Sequence, residues 1–256
     1  MKNQRLLLIA TFIGGSVYSQ QTRFYSDPPL TEKFKEAKEY FQKDQYSLAY
    51  PLFKELQQSV RETDKANTAI TVQEINYYTA VCGLKQNESR AEEQAREYIE
   101  LEKNVARVGM MHYHLGEYYF RQQQFADAGR EYEKTNIENL NNREISDMKF
   151  HQGYSYFNLQ RFAQAKVMFN IIRTIKDDPN YADANYYYGF LSFRDGQYND
   201  ALQSFRIVEN EKNYATVVPY YIAQVYYMQG KKEEAIAYIQ NKLKTGSNSQ
   251  YYDLEL

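Results

Sequence analysis

Apolar and polar positions come in blocks along most of this chain, and the blocks return in the same order. Residues 115–135 read LGEYYFRQQQFADAGREYEKT, residues 152–172 read QGYSYFNLQRFAQAKVMFNII, and residues 188–208 read YGFLSFRDGQYNDALQSFRIV. Within each half-block the apolar residues lie three and four apart, which is one face of an α-helix. The halves are joined by polar stretches, QKDQ, RQQQ, NLQR, RDGQ and MQGKK. These are too short for anything but a turn between antiparallel helices.

A small residue follows the first apolar pair of each block, at Ala37, Ala80, Gly116, Gly153, Gly189 and Ala223, giving spacings of 43, 36, 37, 36 and 34. Three residues later stands Tyr40, Gly83, Tyr119, Tyr156, Ser192 or Tyr226. A turn aromatic follows at Tyr46, Phe125, Phe162 or Tyr198, then an alanine at Ala49, Ala128, Ala165 or Ala201, then a ring at Phe53, Tyr132, Phe169 or Phe205. Small residues at the marker and early in the second half let paired helices approach closely; overpacking there costs about 1–3 kcal/mol.

A period of 34 to 37 residues with this order resembles the tetratricopeptide repeat, a helix-turn-helix unit. The resemblance spans residues 30–245. The second block departs from it at Gly83, with a turn one residue short, and the sixth has Lys232 where the turn aromatic belongs. It implies an all-α fold, a right-handed α-solenoid of about six repeats whose first helices line a concave face where ligands lie. Pro179 separates the fourth unit from the fifth, and Pro51 and Pro219 are expected in the first turn of their helices.

Two sets of positions would face that groove. Three residues before each marker stand Phe34, Tyr77, Tyr113, Phe150, Tyr186 and Tyr220; four residues after it stand Phe41, Leu84, Phe120, Phe157, Phe193 and Tyr227. The sets are two helical turns apart and share a face. From them the candidate partner-binding residues are Phe34, Tyr77, Tyr113, Phe150, Tyr186 and Tyr220, with Phe120, Phe157, Phe193 and Tyr227. Cations beside them are chiefly Lys38, Lys85, Arg121 and Arg194. Such rings suit an extended peptide or helix, because aromatic anchors carry much of an interface's energy; partial burial between neighbouring units is the competing use.

The first nineteen residues carry Lys2 and Arg5, the apolar run LLLIATFIGG, and small residues around Tyr18. This is the anatomy of a secretory signal peptide. The expected organisation is a leader at 1–19, a linker at 20–29, the array at 30–245, and at 246–256 the start of a further helix, cut short or covered by a partner, with a frayed tail after six units as the alternative. Cys82 is the only cysteine, so no lipidated N-terminal cysteine and no internal disulfide are expected. An exported chain without disulfides fits a bacterial periplasm.

The net charge of −2 offers no basic field for nucleic acid. His112 and His114 lie two apart on one helix and face different ways, so a shared metal is not expected, and His151 repeats the place of His114. No phosphate-binding glycine loop occurs, and Cys82 reads as a buried small hydrophobe. The expectation is a non-enzymatic protein–protein scaffold or adaptor of the cell envelope, with no cofactor. A periplasmic receptor for a glycan or unfolded peptide, and a self-assembling array, are the alternatives.

Overall fold

A computed structural model describes residues 30–62 and 72–244. The expected leader, the linker and the expected further helix at 246–256 lie outside the described residues. Twelve α-helices follow one another: α1 (Leu30–Gln42), α2 (Tyr46–Glu62), α3 (Val72–Gln86), α4 (Ala91–Leu101), α5 (Val105–Arg121), α6 (Phe125–Glu133), α7 (Asn142–Asn158), α8 (Phe162–Ile172), α9 (Tyr181–Arg194), α10 (Tyr198–Val208), α11 (Val218–Met228) and α12 (Lys232–Lys244). They form six antiparallel pairs, one per sequence unit, and no strand occurs among the described residues.

Each pair is closed by the same turn. The residue seven after the marker has a left-handed backbone in every unit: Asp44 (φ 56°), Asn87 (57°), Gln123 (58°), Gln160 (59°), Gly196 (73°) and Gly230 (75°). The next N–H reaches back to the carbonyl of Tyr40, Gly83, Tyr119, Tyr156, Ser192 or Tyr226 at 2.8–3.0 Å. This is a Schellman cap, which satisfies a carbonyl the helix end would leave open. Only Gly196 and Gly230 take that conformation without strain; the other four units hold it with Asp, Asn or Gln.

Packing explains the small markers. A Cβ added at Gly116, Gly153 or Gly189 would meet the ring of Tyr132, Phe169 or Phe205 at 2.5, 3.0 and 2.9 Å. These rings are buried in the second helix of the same unit and set the distance between the paired helices. Three of the five joints between consecutive units are closed by the same stacked rings. Tyr78 lies on Phe53 (5.1 Å, 10°), Tyr187 on Phe169 (5.1 Å, 16°) and Tyr221 on Phe205 (5.4 Å, 11°). A second tie recurs at the far edge: Arg96 donates to the Tyr119 hydroxyl (2.6 Å), the Tyr156 hydroxyl donates to Glu133 (2.7 Å), and Arg206 donates to the Tyr226 hydroxyl (2.9 Å).

Along the array α3, α5 and α7 touch in turn, as do α9 and α11, whereas no pair of second helices makes comparable contact. The first helices therefore form one layer and the second helices another that splays apart. Pro219 lies in the first turn of α11, as its sequence position suggests. Pro51 does not. It stands within α2, whose first residue is Tyr46, because the capped turn at Asp44 lets that helix begin a full turn before the proline. The hydrogen bond it removes would have reached the carbonyl of solvent-exposed Ser47.

Candidate functional site

The ten sequence-selected groove residues all stand on first helices, but they do not contribute equally. Phe34 and Tyr113 are buried in the stack. Tyr77, Phe150, Tyr186 and Tyr220 are half-buried, as are Phe120, Phe157 and Phe193. Tyr227 is the most open of the ten at 44% exposed.

The later set doubles as packing between units. Phe120 stacks on His151 (4.0 Å, 19°) and meets Tyr154 edge-on; Phe157 meets Tyr187 (5.1 Å) and Phe190 (5.8 Å); Phe193 meets Tyr221 (6.1 Å). Within each unit the same residue also lies against the turn aromatic, Phe120 on Phe125, Phe157 on Phe162 and Phe193 on Tyr198. From α5 to α11 this makes a continuous ladder of rings, with Tyr154 and Phe190 as rungs that sequence reading had not singled out. Tyr186 carries a further lid: Tyr214, from the α10–α11 connection, stacks on it at 4.5 Å and donates its hydroxyl to Asp183.

The first three units are more polar. Lys38 lies 3.4 Å from Glu74 and sits over the rings of Phe34 and Tyr78. A cleft of about 330 Å³ opens between α3 and α5, lined by Glu74, Tyr77, Tyr78, Arg107 and Met110 with Asn104, Ala106 and Asn139. A larger cleft of about 640 Å³, lined by residues of α2, α3 and α4 including Gln57, Asn76 and Gln94, lies apart from the ring ladder.

The histidines are absorbed by packing. His114 is buried and bonds the Tyr77 hydroxyl (Nε2···Oη 3.0 Å); burial first, then Lys85 and Arg121, push its pKa down to about 3, so it is neutral. His151 Nδ1 donates to Glu117 (2.9 Å), which also accepts from the Tyr132 hydroxyl (2.8 Å). Burial alone would raise the Glu117 pKa; the His151 and Tyr132 hydrogen bonds and Lys85 outweigh it and keep the carboxylate ionised. His112 Nδ1 donates to buried Glu131 (2.6 Å). Cys82 is buried, which pushes its thiol up to about 12 and leaves it a poor nucleophile. Among the described residues no three His, Cys, Asp or Glu side chains could hold a metal, and no helix is long and apolar enough to cross a membrane.

Six helix pairs on a common register, each closed by the same left-handed turn, define a class. The family model described as Tetratricopeptide repeat matches residues 220–241, the sixth unit. Solved structures extend the likeness over the rest. YrrB, a TPR protein with an unusual peptide-binding site, matches at 18% identity and a TM-score of 0.56, covering 76% of this chain and 94% of its own. A tetratricopeptide repeat protein from Parabacteroides merdae matches at 17% identity and a TM-score of 0.50, covering 84% and 79%. Pseudomonas aeruginosa pilF matches at 13% identity and 0.52, covering 87% and 94%. No curated protein matches the sequence. The chain has the tetratricopeptide-repeat fold, an all-α solenoid of such repeats.

Proposed function

We propose that this protein is a non-enzymatic scaffold or adaptor, exported to the bacterial cell envelope, that holds an extended peptide or a helix of a protein partner along its first-helix face. The observation that carries the reading is the ring ladder, which runs over four successive first helices from α5 to α11, with the open cleft at Tyr77 between α3 and α5 beside it. YrrB, the similar solved protein, is described as having a peptide-binding site, which favours a peptide occupant here. The best surface for it is formed by Tyr77 and Met110 at one end and Phe150, Tyr186, Tyr220 and Tyr227 at the other, since Phe34 and Tyr113 have little area to offer. The basic, then apolar, then small-residue order of residues 1–19 supports export.

Fractionation of the source cells tests location and binding together. The mature chain is expected in the periplasmic fraction, retaining one protein partner that a Tyr77→Ser/Tyr227→Ser variant of equal helicity loses. Recovery of the full-length chain with its leader in the cytoplasm would overturn the export half of the reading.

A further inference from the structure

One second helix is unlike the rest. The solvent-facing positions of α8 are Ala163, Gln164, Val167, Asn170 and Ile171, none of them charged, and Thr174 and Ile175 extend this face past the helix end. Every other second helix exposes at least one charged side chain: Glu55 on α2, Glu93 and Glu97 on α4, Arg130 and Glu133 on α6, Asp200 and Arg206 on α10, Glu233 and Glu234 on α12. The one charged residue within α8, Lys166, is turned away to Asp195 and Gln197. Val167, Ile171 and Ile175 are 57%, 45% and 51% exposed, and Ile207 continues the stripe on α10 at the place of Ile171 one unit on. Val167 and Ile171, four apart on α8, share one face on the outside of the array, and exposed Ile175 follows in the turn past the helix end.

Comparison of the third and fourth units shows what is missing beneath it. In the third unit Glu131 is buried beside His112 (2.6 Å) and Lys134 (3.5 Å). Thirty-seven residues on, the same three places hold Met168, Lys149 and Ile171. Lys149 thus places a cation where the carboxylate that would neutralise it has become a methionine. It is half-buried and makes no ion pair or hydrogen bond among the described residues. Burial holds its pKa below the usual lysine range, with no carboxylate offsetting the shift. A desolvated, unpaired cation is costly and gains most from a carboxylate brought to it.

We infer that the α7–α8 outer face is a second docking surface, separate from the first-helix groove, and that it takes an acidic amphipathic helix of a protein partner. The helix would set apolar residues at i and i+4 against Val167, Ile171 and Ile175 and bring a Glu or Asp to Lys149. Charge complementarity selects this occupant over a basic or neutral helix. The apolar stripe is separated from the groove by the layers, since α8 belongs to the splayed second-helix layer and the ring ladder to the first; Lys149, on α7, holds the place of His112, which faces the second helix of its unit at Glu131.

Two fluorescein-labelled synthetic helices of about 21 residues, about six turns, make the test. They carry the same leucine stripe, with Glu on the polar face of one and Lys on that of the other. Fluorescence anisotropy with the full chain is expected to show the acidic helix binding at least about tenfold more tightly than the basic one. Lys149→Met and Ile171→Gln, each confirmed folded by circular dichroism, should each weaken the acidic helix by about tenfold. Tyr77→Ser/Tyr227→Ser should leave it unchanged. Equal binding of both helices, no binding of either, or indifference to both α7–α8 substitutions would overturn the proposal. So would loss of binding in the groove variant alone, which would place the acidic helix in the groove. A sedimentation mass that doubles with concentration and reverts in Ile171→Gln would show that a second copy covers the face instead.

Discussion

Phe169→Ala is expected to cost about 3–5 kcal/mol and to split the unfolding of the array into two steps. Phe169 is fully buried, its ring lies 5.7 Å from Phe150 within its own unit, and Tyr187 of the next unit stacks on it at 5.1 Å. Removing it opens a cavity under Tyr187, whose ring also carries the contacts to Tyr154 and Phe157. In a repeat stack each unit touches only its neighbours, so stability is a sum of unit and joint terms. A weakened joint between the fourth and fifth units should let α9 to α12 melt ahead of the rest. Urea titration followed by circular dichroism and by hydrogen exchange would show this as a second transition confined to residues 181–244. Val167→Ala, at an exposed position of the same helix, should move the midpoint by less than about 0.5 kcal/mol. A single transition with a loss under about 1 kcal/mol for Phe169→Ala would mean that the stacked rings do not hold the joint.

Two glycine-to-alanine changes should have opposite signs although both lie inside first helices. Helix propensity favours alanine by about 1 kcal/mol at either site. At Gly116 the new methyl would stand 2.5 Å from a ring carbon of Tyr132. That ring is buried and its hydroxyl is tied to Glu117 at 2.8 Å, so it cannot swing aside, and overpacking of about 1–3 kcal/mol should outweigh the propensity gain. At Gly83 the nearest atom is the Ala91 methyl at 3.4 Å, an ordinary contact. Gly83→Ala should therefore raise the melting temperature and Gly116→Ala lower it. Parallel thermal melts of the two variants decide the matter; a loss of stability in Gly83→Ala would show that α3 and α4 approach more closely than their contacts indicate.

The repeat register was legible because each structural requirement selects a residue type. Close helix approach selects Gly or Ala at the marker, and a buried ring facing it selects Phe or Tyr, so the spacing alone placed all six pairs. The left-handed turn position was not legible, because Gln123 and Gln160 carry no turn signature. Their conformation is imposed by the helices they join, with the strain absorbed by the Schellman hydrogen bonds. Sequence also could not say which of two adjacent rings enters the joint. Tyr77–Tyr78, Tyr186–Tyr187 and Tyr220–Tyr221 are doublets in which the first member was assigned to the groove, and the second proves to stack on the preceding unit. Where the doublet becomes Tyr113–His114, the histidine bonds Tyr77 and the tyrosine is buried, so the surface expected at the centre of the groove is small. The uncharged face of α8 did leave a trace in FAQAKVMFNII, with one charged residue, but a periodicity search reads such a segment as buried core.

Site-resolved photo-cross-linking tests the groove most directly. Benzoylphenylalanine would be placed singly at Tyr77, Tyr220 and Tyr227 on first helices and at Glu97 on the outside of α4, in the source cells. One and the same partner protein is expected to cross-link from all three first-helix positions and not from Glu97. Cross-links from Glu97 as strong as those from the first helices, or different proteins from each groove position, would contradict the groove assignment.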